Sequence, residues 1–275
     1  MDNLAAYDIL IYMFEHIDVL MLIFVRVIAF FIGMPIISSQ NVFMQGRLFL
    51  ALCVSVALFM SGRVTTVYYM DTTLGYVYLI LIEFLVGMAL GYVVLAIFNL
   101  IFFAGQLMDF QIGLMMVNVL DPMTQVQVPV TGNLFYFGMM AMLVVTGGIH
   151  ALFVAFFQSY QVVPIGTAFI VGNQPLAWYI VLLLTESMIL AVRLAMPIIG
   201  TMMLINIALG IMVKTTPQMN IFVVGLPMKL LIGILLIWMI MIPNLGAIFG
   251  QVLDMAGNSM REAVWGMETI RRMGQ

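Results

Sequence analysis

GQLMDFQIGLMMVNVLDPMTQVQVPVTG, residues 105–132, decides how the rest of the chain is read. It holds no Lys or Arg and only two acids, Asp109 and Asp121, while Leu114, Met115, Met116, Val117, Val119 and Leu120 crowd between Gly113 and Pro122. The stretch is too apolar for a solvated loop and too interrupted to cross a bilayer. Irregular backbone at membrane depth persists only where protein or a water-lined cavity satisfies its N–H and C=O groups, because hydrocarbon cannot. It therefore reads as a pore-lining or pore-plugging element.

The composition sets what surrounds it. Of 275 residues, 65% are hydrophobic and 8% charged, and the mean hydropathy is +1.20, values outside the range of soluble globular domains. An all-α integral membrane protein is expected, one membrane domain over residues 1–275 in contact with lipid. The formal net charge of −3 argues against nucleic acid as a partner. Cys53 is the single cysteine and cannot form an internal disulfide; it reads as a small buried hydrophobe. The acidic start, MDNLAAYDILIYMFEHIDVL, lacks the basic n-region of a cleaved signal peptide. Asp8, Glu15 and Asp18 are expected along one side of a first helix.

Six apolar runs follow, at 19–37, 48–60, 74–104, 134–157, 176–213 and 221–242. Their lengths do not suit a plain six-span bundle. At about 1.5 Å per residue the 176–213 run would extend roughly 57 Å, nearly twice a hydrocarbon core of about 30 Å, whereas 48–60 reaches only about 20 Å. A bend at Pro197, or burial in a partner complex, is expected to resolve the mismatch. With six crossings, Arg63, Arg261, Arg271 and Arg272 would face the side of both termini and Arg47 and Lys214 the other, placing both termini in the cytoplasm.

Enzyme chemistry finds no support in the residues. There is no G-x-S-x-G, H-E-x-x-H or Walker A motif and no acidic pair suited to a metal, so no catalytic residue, metal site or cofactor is expected. His16 and His150 are the only histidines, and His150, after Gly147 and Gly148, suits a helix-end hydrogen bond. Charges inside apolar runs need a reason, since each costs about 2.5–3.5 kcal/mol at a helix centre. Glu83, Glu186, Arg193 and Lys229 are such charges. Glu186 and Arg193 lie seven residues apart on one helical face and suit a structural ion pair, with each other, with Glu83 or between subunits; a proton relay is the alternative. Lys229 suits snorkelling. Gly87-x-x-x-Gly91 and Gly246-x-x-x-Gly250 permit close helix approach. The 28 methionines serve mostly as packing filler, with Met115, Met116 and Met123 placed where flexible thioethers would seal a deformable pore.

Lys214 to Asn220, with Pro217, Gln218 and Asn220 at its centre, forms a turn short enough to fold the last two runs as an antiparallel helical hairpin. Here the chain resembles a known family. AGQLMDFQ at 104–111, VLDP at 119–122, VPIG at 163–166, RLAMP at 193–197 and TPQMNIFVVGLP at 216–227 are similar, in order and spacing, to the FliR/SctT family of type III export-gate proteins. They extend over most of residues 20–250, and the wording of 104–122 is closer to the flagellar branch than to the injectisome branch.

The resemblance implies a FliP-like part at 1–175 carrying the plug loop 105–132, a FliQ-like helical hairpin at 176–260 and a polar C-terminal tail at 261–275. It puts the family's plug on Phe110, Gln111, Gly113, Leu114, Met115, Met116, Val117, Asn118, Val119, Leu120 and Asp121, where the Met-rich wording of 114–120 is this chain's own. It further implies a tapered channel completed with FliP-type and FliQ-type subunits, FlhA-type and FlhB-type export proteins as neighbours, and unfolded flagellar proteins as cargo. The location implied is the cytoplasmic membrane at the flagellar basal body. A stand-alone secondary transporter using Glu186 and Arg193 is the alternative from another class; it calls for an inverted repeat, and no convincing one is visible.

Overall fold

Long runs of Leu, Met, Ile, Phe and Ala with few internal breakers favour helix, and the computed structural model, which describes residues 16–38, 42–62, 72–115, 129–165, 174–216 and 221–273, is helical with no strand among them. In chain order these are α1 (Ile17–Gly33), α2 (Met44–Met60), α3 (Thr73–Ile112), α4 (Val130–Val145), α5 (Gly148–Val162), α6 (Gln174–Thr215), α7 (Ile221–Leu236) and α8 (Ile242–Met273); a π-helical turn, Ile237–Met241, joins the last two. The protein is an all-α membrane protein.

The count of six crossings does not hold. Among the described residues three helices are long and apolar enough to cross a membrane, Thr73–Ile112, Ile180–Thr215 and Val223–Ala263, and a fourth span arises if α4 and α5 are taken together. The run at 134–157, expected as one span, is two helices bent by 74°. The break has a local cause: Gly147 takes φ +71, a conformation that glycine adopts at little cost, and the Thr146 hydroxyl donates to the Met142 carbonyl at 2.7 Å, closing the end of α4. Termini on one side of the membrane require an even number of crossings, which only the four-span count supplies.

The bend expected at Pro197 gives way to one unbroken helix, α6, of 42 residues with the proline inside it. Its length is about 63 Å, so part of it must run outside a hydrocarbon core or beside other protein. The C-terminal segment 261–273, expected as part of a polar tail, continues α8 as helix. Pro243 supplies the reason for the π turn before it. Its missing N–H interrupts the regular ladder, the wider turn absorbs the gap, and the Asn244 amide donates to the Ile240 carbonyl at 2.7 Å.

The chain divides into two compact units, one drawn from Met1–Leu95, Ile149–Leu183 and Ala256–Gln275 and the other from Ala96–Gly148 and Leu184–Met255. In the first, α2 packs on α1 through Ala51, Ser55 and Leu58, spaced to share a face. Cys53, two residues off that face, is exposed rather than buried. The first half of α3 runs beside α1 in the same direction. Tyr76 donates to the Asp18 carbonyl at 3.1 Å near the start of both, and further along a Cβ on Gly33 would overlap the backbone of Gly91. In the second unit, Phe249 lies against Gly138 and Ile112 against Gly233, while nothing approaches Gly250. Of the two small-residue motifs, the one at Gly87 and Gly91 brings backbones together, because bare Cα atoms are what let two helices touch.

Candidate functional site

Arg26 on α1 and Glu83 on α3 meet at the centre of the first unit, where Arg26 Nε donates to Glu83 Oε2 at 2.5 Å and both side chains are sealed from solvent, at 0% and 1% exposure. Two turns of the close crossing hold them in register: a Cβ on Gly87 would overlap the Arg26 carbonyl, one turn from Glu83. The end of α5 completes the cage. Arg26 Nη1 donates to the Val163 carbonyl at 3.0 Å, and the guanidinium lies 4.4 Å from the centre of the Tyr160 ring, within cation–π reach. Tyr160 in turn donates to the Ile23 carbonyl at 3.4 Å. Phe30 and Phe156 stack at 4.3 Å one turn along, so the pair sits inside an aromatic and aliphatic shell. A bidentate-capable guanidinium, an acid, a carbonyl and a ring face suit a fixed joint of three helices more than a titrating relay.

Sequence reading took Glu83 as an intramembrane charge and Arg26 only as a break in the first run. A signal was present. Runs 19–37 and 74–104 each contain a single charge, of opposite sign, and two lone opposite charges in apolar helices satisfy each other's burial.

Glu186 and Arg193 behave otherwise. Both are exposed on α6, they make no ion pair with each other, and Glu83, a suggested partner, is occupied by Arg26. Lys229 is half-buried on α7, and His150 is exposed in the first turn of α5. Among the described residues no three His, Cys, Asp or Glu side chains cluster as metal ligands would.

The opening stretch divides differently from the expectation. Its first eight residues, 105–112, continue α3, so Phe110 and Gln111 lie in the last turn of a helix rather than in a loop, with Phe110 exposed. Gly113, at φ +92, ends that helix, and Leu114 and Met115 follow in a turn. Met116, Val117, Asn118, Val119, Leu120 and Asp121 lie outside the described residues, as do Pro217, Gln218 and Asn220. At the far end Val130 starts α4, and a Cβ on Gly105 would overlap the backbone of Gly132. Asp109 is fully buried and accepts from the Thr131 N–H at 3.1 and 3.2 Å through its two carboxylate oxygens. A helix junction held in this way matches a family over most of its length: residues 17–256 match the bacterial export proteins, family 1.

The chain belongs to that family. Among relatives of this export protein are the flagellar biosynthetic protein FliR of Bacillus subtilis, 29% identical over 79% of this chain and 83% of that one, and that of Aquifex aeolicus, 28% identical over 81% and 85%. The Yop proteins translocation protein T of Yersinia pestis is 26% identical over 77% of this chain and 81% of its own. Members named for flagellar biosynthesis and for Yop translocation thus share with this export protein the helical core that holds Arg26, Glu83 and Asp109.

Proposed function

We propose that the chain is a non-enzymatic core subunit of the flagellar type III export gate, joining FliP-type and FliQ-type subunits in a channel that passes unfolded flagellar proteins across the cytoplasmic membrane at the basal body. FlhA-type and FlhB-type proteins are its neighbours in the export apparatus. The observation that carries this reading is the match over residues 17–256, with relatives named as flagellar biosynthetic proteins in the majority.

Partner subunits are supported by the surface of α6. Leu182, Glu186, Ile189, Arg193, Met196, Leu204, Ile207 and Ile211 recur at helical spacing, and all are exposed. Lipid would suit the aliphatic members but not two charges mid-helix, at about 2.5–3.5 kcal/mol each. A protein helix with complementary charges suits all of them. In this reading α6, α7 and α8 form the FliQ-like hairpin, and its outward stripe is a subunit contact.

The segment 113–121, between two anchored helix ends, is the plug. Apolar side chains in a constriction block ions by dewetting and still yield to a passing polypeptide. Deleting residues 114–117 is expected to leave the gate assembled but leaky, read as raised ion conductance or lost membrane potential in cells that express it. An assembled deletion variant with unchanged conductance removes the plug assignment.

A further inference from the structure

We infer that Asp109 is the positioning residue of the plug, a single side chain and carbonyl that fix both ends of the segment between α3 and α4. Its main-chain carbonyl accepts from the Gly113 and Leu114 N–H groups, each at 3.1 Å, which closes α3. Its carboxylate reaches across and accepts the Thr131 N–H through both oxygens, at 3.1 and 3.2 Å. The inference rests on the plug reading above and adds what holds the plug in place.

The physical case lies in what α4 lacks. The first turn of a helix leaves N–H groups without intrahelical partners, which a side-chain oxygen just before the helix ordinarily accepts. At α4 that position is Pro129, and no side-chain cap bond is made there. Asp109, twenty-two residues earlier, supplies the oxygen instead, and its negative charge meets the positive end of the α4 dipole. Because Asp109 is fully buried, no water stands ready to replace it. One helical turn back, Gly105 meets the Gly132 backbone, so the cap and the close crossing together pin the two helix ends side by side. A segment anchored at one residue on both sides moves as a hinged flap about that residue. Loss of the cap frees one side.

The test uses cells expressing the complete gate, with Asp109→Ala, Asp109→Asn, the 114–117 deletion, and Asp109→Ala combined with the deletion. Asp109→Ala is expected to raise ion conductance while the complex still assembles. Asp109→Asn keeps an acceptor oxygen without the charge and is expected to give a smaller rise. The combined variant should leak no more than the deletion alone, because the anchor has nothing left to hold. In the purified complex, amide exchange at residues 130–132 should quicken in Asp109→Ala by roughly 5- to 30-fold, the shift that losing such a contact produces. A leaky deletion with both Asp109 variants tight, or leak that adds to that of the deletion, overturns the inference and leaves the plug standing. A tight deletion overturns the plug reading itself. If Asp109→Ala fails to assemble, Asp109→Asn decides, and an assembled, tight Asp109→Asn gate counts against the inference.

Discussion

Two pairs of charges in equally apolar helices meet opposite surroundings. Arg26 and Glu83 are buried against each other inside the chain, whereas Glu186 and Arg193 are exposed on α6. The helices that bear them differ in the same sense: 56% of the most apolar window of Thr73–Ile112 is buried, against 22% for Ile180–Thr215. Hydropathy reads both as spans. What separates them is where a charge finds its partner, within the chain in one case and, as proposed, on another chain in the other. A buried charge in the first setting is a question of folding. In the second it is a question of assembly.

The comparison breaks most visibly at Arg26. Arg26→Ala strands Glu83 among apolar side chains, and losing one partner of a buried pair costs about 3–5 kcal/mol. The expected result is a chain that is degraded or protease-sensitive even when expressed without partners, seen as lost full-length protein in membranes. Survival at normal level and stability would mean that the pair is not the joint of α1, α3 and α5.

A smaller effect is expected from the crossing that sets the pair. Gly33→Ala puts a Cβ into the backbone of Gly91, where no side chain can yield, and should destabilise by about 1–3 kcal/mol as overpacking does. Gly250→Ala meets open space inside α8 and should be neutral or stabilising by up to about 1 kcal/mol through helix propensity. Melting of the two purified variants in detergent checks the contrast; equal shifts would contradict it.

The smallest effect on the chain itself belongs to Arg193→Ala. An exposed substitution of this kind is worth within about 0.5 kcal/mol of stability, so the isolated chain should melt as before, while the yield of assembled complex falls. Normal yield with lost export would point to a proton relay instead.

How far these regions were legible depended on the range of the interaction. Helix content and the membrane class follow from local composition and were plain in the sequence. The helix break at Gly147 was also written locally, in Thr146-Gly147-Gly148, yet a window average over 134–157 hides a two-residue signal under twenty apolar ones. Pro197 erred the other way. Proline predicts a bend when neighbours do not hold the helix, and α6 runs on regardless. The pairing of Arg26 with Glu83 spans 57 positions, and the cap of Thr131 by Asp109 spans 22; both depend on which helices lie side by side, which periodicity does not encode. Asp109 stood in the quoted stretch as one of its two acids, and nothing in its immediate neighbours distinguished it from Asp121.

The π turn at Ile237–Met241 changes what the rod after it offers to its surroundings. A π turn holds one residue more than the α-helical turn it replaces, and each residue of an α-helix advances the azimuth by about 100°. Side chains beyond Met241 are therefore out of phase by about that angle with the pattern set by Leu231 and Leu235, and the α7–α8 rod addresses two compass directions from one continuous backbone. A neighbour that reads the first half at one bearing leaves the second half turned toward a different neighbour, so a single helix can serve as the corner between two faces of an assembly.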